Sequence, residues 1–114
     1  MVQYLIGLLL LSTTHAMTVT ATAYSMPGQL TATQTRAGSG QIALSRDLLN
    51  KFPYGSYVKL VSVKGSNCGG YNTGPLRVTD TMAKYKYKTV DVHLPSIRNA
   101  IVWGNCTATL IKVR

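Results

Sequence analysis

The chain has 114 residues, with 12 Lys and Arg against 3 Asp, no Glu, and a formal charge of +9 at neutral pH. That length holds one domain with a core large enough to fold alone and leaves no room for a second. The charge favours polyanions, whether nucleic acid, lipid headgroups or a wall bearing carboxylates and phosphates. Charge is all that supports nucleic acid, because the sequence has no helix-turn-helix pattern, no stacked-aromatic motif and no basic amphipathic helix, so no nucleic-acid partner is expected.

The first sixteen residues, MVQYLIGLLLLSTTHA, combine an apolar run from Leu5 to Leu11 with the small residues Thr14 and Ala16 around a cleavage point. They are expected to be a cleaved secretory signal peptide, with a mature domain over 17–114. The run is too short to span a bilayer. It also lacks a basic n-region, which leaves translation from Met17 as the alternative. The even cysteine count, Cys68 and Cys106, fits export to an oxidising compartment and one disulfide; two unpaired core thiols are the alternative. A zinc site needs more Cys or His ligands than the chain has, and no metal or cofactor is expected.

Met17 to Ser25 (MTVTATAYS) is rich in β-branched residues and predicts a first strand, ended by Met26-Pro27-Gly28. Gln29 to Gly40 reads as an irregular, mobile connection, either a plain surface loop or the flank of a groove. Gln41 to Ser45 predicts a second strand. Arg46 to Asn50 predicts one helical turn, at whose start Asp47 serves as a cap or dipole partner rather than a catalytic group. Phe52-Pro53-Tyr54-Gly55 is a turn signal, followed by a third strand over Ser56 to Val63. The next loop, KGSNCGGYNTGP, holds four of the ten glycines and Cys68, so a disulfide there would restrain an open excursion.

Leu76 to Leu94 (LRVTDTMAKYKYKTVDVHL) carries two of the three acidic residues, Asp80 and Asp91, each where an apolar β-branched run gives way to polar residues. Two strands are predicted. The polar connection between them lets the chain double back and set the carboxylates on neighbouring strands. In an extended conformation Lys84, Lys86 and Lys88 share one face and Tyr85 and Tyr87 the other, giving either a basic aromatic rim or a solvated tip with Tyr packed beneath. Pro95 to Trp103 predicts a short amphipathic helix with Ile97, Ala100 and Ile101 on its apolar face, started by Pro95 or Ser96 and stopped at Gly104. Trp103 is assigned to the core or to a lid, and Cys106 to Val113 predicts the last strand.

The order TATAYS, IALSRDLL, PYGSYVKLV, LRVTDTM, VDVHLPSIRNAIVWG and ATLIKV resembles the double-psi β-barrel of the 3D-domain proteins. Relatives of that group include the barrel of MltA-type lytic transglycosylases, the rare lipoprotein A family and, more distantly, expansins. The resemblance covers the chain after the leader and implies an all-β, six-stranded double-psi β-barrel with one or two short helices. Asp91 matches the family's catalytic acid and base, and Asp80 its second active-site aspartate. The family's first aspartate falls on Ser45, with Asp47 two residues later, and the Gly-Gly that often follows the second is replaced by Met82-Ala83.

The resemblance implies a secreted or periplasmic, monomeric lytic transglycosylase acting on peptidoglycan glycan strands. Its acid would protonate the glycosidic oxygen between MurNAc and GlcNAc, then take the proton of the C6 hydroxyl as a 1,6-anhydro ring closes. One carboxyl can do both if burial and a neighbouring carboxylate raise its pKa. In that reading Asp91 is the acid and base, Asp80 tunes it, and Tyr24, Ser25, Thr81 and His93 line the groove; His93 is also open to a structural role. The alternative is a non-catalytic, expansin-like module that binds polysaccharide without cutting it. Structural capping by both aspartates is a further alternative, because catalytic and structural carboxylates look alike in sequence.

Overall fold

The computed structural model describes residues 16–65, 67–68 and 73–114. The expected leader, apart from Ala16, lies outside the described residues. Six strands are present: β1 (Ala16–Tyr24), β2 (Gln41–Leu44), β3 (Tyr57–Lys64), β4 (Leu76–Thr81), β5 (Thr89–His93) and β6 (Cys106–Lys112). A 3-10 turn spans Arg46–Leu48, and one helix, α1, spans Ile97–Trp103. The strands close into a barrel in the order β1-β5-β2-β4-β3-β6. Pairs β1/β5 and β2/β4 are parallel, while β2/β5, β1/β6, β3/β4 and β3/β6 are antiparallel. The fold is the all-β double-psi β-barrel, and closure leaves no long edge unpaired.

Strand alternation builds the core. Val19 and Ala21 of β1, Ile42 and Leu44 of β2, Val58 and Leu60 of β3, Val90 and Val92 of β5, and Ala108 and Leu110 of β6 are all buried, as period-two patterning requires. Thr18, Thr20 and Thr22 occupy the intervening positions of β1. Phe52 and Leu48, from the segment after β2, are fully buried and plug the same core.

The order corrects one expectation. Asp80 and Asp91 are not on neighbouring strands, because β2 lies between β4 and β5, parallel to one and antiparallel to the other. The connection over residues 82–88 therefore passes across the end of β2 instead of closing a hairpin. Local turn chemistry looks the same in both cases, and only the non-local pairing separates them.

Helix α1 also departs from its predicted face. Ser96 caps it, its Oγ accepting the Asn99 N–H at 3.0 Å, and Gly104 ends it with φ 67°. Yet Ile97 and Ile101 are 65% and 74% exposed, and the side chain that α1 buries is Trp103. Trp103 Nε1 donates to the Ala21 carbonyl at 3.0 Å. In a helix of seven residues one anchor sets the roll, and the indole offers more area than either Ile plus an N–H that must find an acceptor.

Cys68 and Cys106 are bridged and buried, tying the loop after β3 to the first residue of β6 across 38 positions of sequence. Gly65 makes this approach possible, since a Cβ there would lie 2.7 Å from both sulfurs. Replacing both cysteines by Ala is expected to cost about 2–4 kcal/mol in urea unfolding. Gly65→Ala is expected to leave titratable free thiols in the refolded protein, and a complete bridge in that variant would disprove the close-approach argument.

Candidate functional site

Four strands lay a row of side-chain positions across one outer face of the barrel. Thr22 of β1 pairs with Asp91 of β5, Asp91 pairs with Ala43 of β2, and Ala43 pairs with Asp80 of β4. Adjacent strands lie about 4.8 Å apart, so the two aspartate backbones are roughly 10 Å apart, with the buried Ala43 at the strand position between them.

Asp80 reaches this row through a bulge. Ile42 pairs with Val78, but the next residue, Ala43, pairs with Asp80, so Thr79 is an extra residue in β4. Strict alternation from the buried Val78 would send Asp80 into the core; the inserted residue flips it back to the outer face. Thr79 itself is buried, and its hydroxyl donates to Gln41 Oε1 at 2.8 Å.

The two carboxylates are held differently. Asp91 is half-buried and its Oδ1 accepts the Thr22 hydroxyl at 2.7 Å. Burial raises its pKa against the Thr22 hydrogen bond and the positive Lys86; Asp80 adds to the rise and His93 opposes it. Asp80 Oδ1 accepts two backbone N–H groups, Thr81 at 2.9 Å and Ala32 at 3.0 Å. Asp80 thus fastens the loop between β1 and β2 to the barrel wall.

That loop is not the irregular, mobile connection the composition suggests. Leu30 and Arg36 form a β-bridge, Thr31 N–H donates to Thr35 O at 2.9 Å, and Thr33 N–H donates to Thr79 O at 3.1 Å. The hydroxyls of Thr31, Thr33 and Thr35 link at 3.2 and 2.6 Å. The threonines of this stretch are its internal bracing.

Tyr24 and His93 pair one step beyond Thr22 and Asp91, their rings edge to face with centroids 5.0 Å apart. The Tyr24 hydroxyl is pushed up to about 12, by burial first and then by the charges of Asp80 and Asp91. His93 is buried, and its Nε2 accepts the Met26 N–H at 3.3 Å, which puts the proton of the neutral ring on Nδ1. Burial lowers its pKa, only partly opposed by Asp91, so the neutral form is favoured. Tyr24 Oη, Ser25 Oγ and His93 Nδ1 are buried with no hydrogen-bond partner among the described residues. Thr81 donates its hydroxyl to Leu44 O at 3.1 Å.

Ser45 and Asp47 lie outside the row. Ser45 precedes the 3-10 turn but makes no capping bond; it is buried, and its Oγ accepts the Thr89 N–H at 3.0 Å. Asp47 does not cap its own turn either. Both of its oxygens accept the Lys88 N–H, at 3.3 and 3.1 Å, where Lys88 holds φ 47°. The turn between β4 and β5 is likewise not extended, and Tyr85 and Tyr87 are 82% and 67% exposed instead of packed beneath it.

Sequence reasoning missed Thr22, Ala43 and the Ala32 amide. Period two along TVTATAY would have put Thr22 on the face of Tyr24. The other two depend on the bulge and the loop fold, which leave no local signal. Among the described residues no three His, Cys, Asp or Glu side chains gather as metal ligands, and no helix is long and apolar enough to cross a membrane.

No family model and no curated protein matches this sequence. Solved structures do match its fold. An apo expansin from Clavibacter michiganensis superposes with a TM-score of 0.59 at 19% identity, covering 88% of this chain and 51% of the expansin chain. An aspartate-to-asparagine mutant of the Clavibacter michiganensis expansin, in complex with cellohexaose, gives 0.58 at 16% identity with the same coverage. The chain spans about half the length of these structures, and at this identity the likeness establishes the expansin-like barrel fold.

The Asp91 environment sets a pH dependence. Its carboxyl ionises at higher pH in the folded than in the unfolded state, so between those two values the folded state holds more protons and stability falls as pH rises. Asn keeps an acceptor for Thr22 and removes the ionisation. Asp91→Asn is therefore expected to melt above the wild type at neutral pH, with the gap closing as pH is lowered through the carboxylate range. Calorimetric melts across pH check this, and a pH-independent gap would show that burial of the carboxyl is not the cause.

Proposed function

We propose that this face of the barrel holds a strand of cell-wall polysaccharide without cutting it, in a protein exported to an oxidising compartment where its disulfide is stable. The observation that carries the reading is the row Thr22, Asp91, Ala43 and Asp80, flanked by the braced loop and by Tyr24. It is a shallow floor of hydroxyl and carboxyl groups, suited to hydrogen-bonding successive sugar hydroxyls. The expansin-like fold supports it, as does the cellohexaose in the complex of that expansin. Peptidoglycan is the glycan that the sequence resemblance implies, and cellulose-like chains are the one that the neighbour's complex suggests.

Two features favour holding over cutting. Most glycosidases work with a pair of carboxyl groups at the bond, whereas Asp80 Oδ1 is occupied by two amides. At the family's first aspartate stands Ser45, committed to the Thr89 amide. One observation favours the second reading, a lytic transglycosylase. Asp91 has a raised pKa, and a single protonated carboxyl can donate to the glycosidic oxygen and then accept the proton of the C6 hydroxyl as the anhydro ring closes.

A sedimentation assay with purified peptidoglycan and with cellulose, followed by mass spectrometry of the soluble fraction, separates the two. Binding is expected to be retained by the wild type, weakened about tenfold by Asp80→Ala, equivalent to about 1.4 kcal/mol, and unaccompanied by any anhydro-sugar product. Anhydro products from the wild type that vanish in Asp91→Asn would establish the transglycosylase instead. Failure to pellet with either polymer would remove both readings.

A further inference from the structure

The turn between β4 and β5 is built more firmly than a solvated tip needs to be. Met82 N–H donates to Leu44 O at 3.0 Å, Lys86 N–H to Ala83 O at 3.0 Å, and the Lys88 carbonyl accepts the Thr20 N–H at 2.9 Å. Asp47 fixes the Lys88 amide, holding that residue at φ 47°. This frame presents two large rings to solvent, Tyr85 and Tyr87, the most exposed aromatic side chains among the described residues, ahead of Tyr54. Each ring has an ammonium over one face: Lys86 Nζ is 5.5 Å from the centre of Tyr85, and Lys88 Nζ is 5.5 Å from that of Tyr87. Arg46 adds a further cation, its Nε donating to Met82 O at 3.5 Å. The turn joins the two strands that carry Asp80 and Asp91, and its Lys86 is close enough to Asp91 for its charge to oppose the rise in that carboxyl's pKa.

We propose that the turn from Lys84 to Lys88 is a subsite for a carboxylate-bearing sugar unit, which gives the barrel a preference for acidic over neutral glycan chains. The proposal rests on the polysaccharide reading above. The open face of a phenol ring covers the C–H face of a pyranose, and the ammonium on its long, flexible stem swings to meet a carboxylate on the sugar's rim. The protein's net charge of +9 strengthens attraction to such a chain. A nucleic acid fits less well. It carries a phosphate at every unit, and Asp80 and Asp91 on the adjoining face repel that charge, whereas a glycan can set neutral hydroxyls on the aspartates and its carboxylates on the lysines.

The test is calorimetric titration of the full chain with cellohexaose and with the same hexamer oxidised to a carboxylate at C6 of its terminal unit only, so that the other units stay neutral. The oxidised chain is expected to bind about tenfold more tightly at low salt, with the advantage lost at high salt. Lys84→Gln/Lys86→Gln/Lys88→Gln should bring the two ligands to equal affinity, while Tyr85→Ser/Tyr87→Ser weakens both. Thermal melts check that these exposed substitutions leave the fold intact. Equal affinities in the wild type, or a preference that survives the triple Lys variant, overturn this inference and leave the polysaccharide reading standing. If neither hexamer binds, this inference falls together with the cellulose-like form of the polysaccharide reading. Single-stranded DNA binding more tightly than the oxidised hexamer overturns it in favour of nucleic acid.

Discussion

One inserted residue in β4 governs the candidate site. Thr79 interrupts the register between β2 and β4, and everything after it in β4 changes face. Without the bulge the Asp80 carboxylate would enter a core formed by apolar side chains such as Leu44, Val78 and Val90, where an isolated charge is not tolerated. With it, Asp80 joins Asp91 on the outer face, and the bulged residue's own carbonyl accepts the Thr33 N–H. A single backbone irregularity thus places a carboxylate and docks the loop that carries the Ala32 amide to it.

The strands themselves were legible because β-branched residues with period two have few other places to go. The runs around Val19, Ile42, Leu60, Val78, Val90 and Leu110 all became strands within a residue or two of their expected ends. Ser96 and Gly104 bounded the helix because capping and a positive φ are local chemistry. The disulfide followed from cysteine number. What failed was non-local. The placement of β2 between β4 and β5 depends on pairings between residues dozens of positions apart, and sequence period cannot rank them. The roll of α1 was misread because helical spacing counts Ile97 and Ile101 equally with Trp103, whereas a buried indole with an N–H to satisfy outweighs both.

The site was legible as residue types and not as roles. Asp80 and Asp91 stood out because acidic side chains are scarce here, and both lie in the row. Their difference in character was invisible, since it comes from partners supplied by β1 and the loop: a threonine hydroxyl for Asp91, two amides for Asp80. Asp47 illustrates the same point in reverse. Its place at a turn start suggested a cap, yet it serves a strained lysine amide 41 positions away, and only the fold brings that amide to it.

The raised pKa of Asp91 is compatible with binding as much as with acid catalysis. A protonated carboxyl is both donor and acceptor, so it can bridge two sugar hydroxyls where a carboxylate can only accept. Covering it with a glycan removes further water, which favours the neutral form still more and avoids desolvating a charge. A groove whose central acid is already easier to protonate thus loses less on closing over a neutral polymer. Asp80 Oδ1 is instead committed to two backbone amides and braces the loop. The two aspartates differ because one accepts dipoles fixed by the backbone and the other sits half-buried against a hydroxyl, and that difference gives the row one carboxyl that braces the loop and one whose raised pKa favours a group able to donate as well as accept.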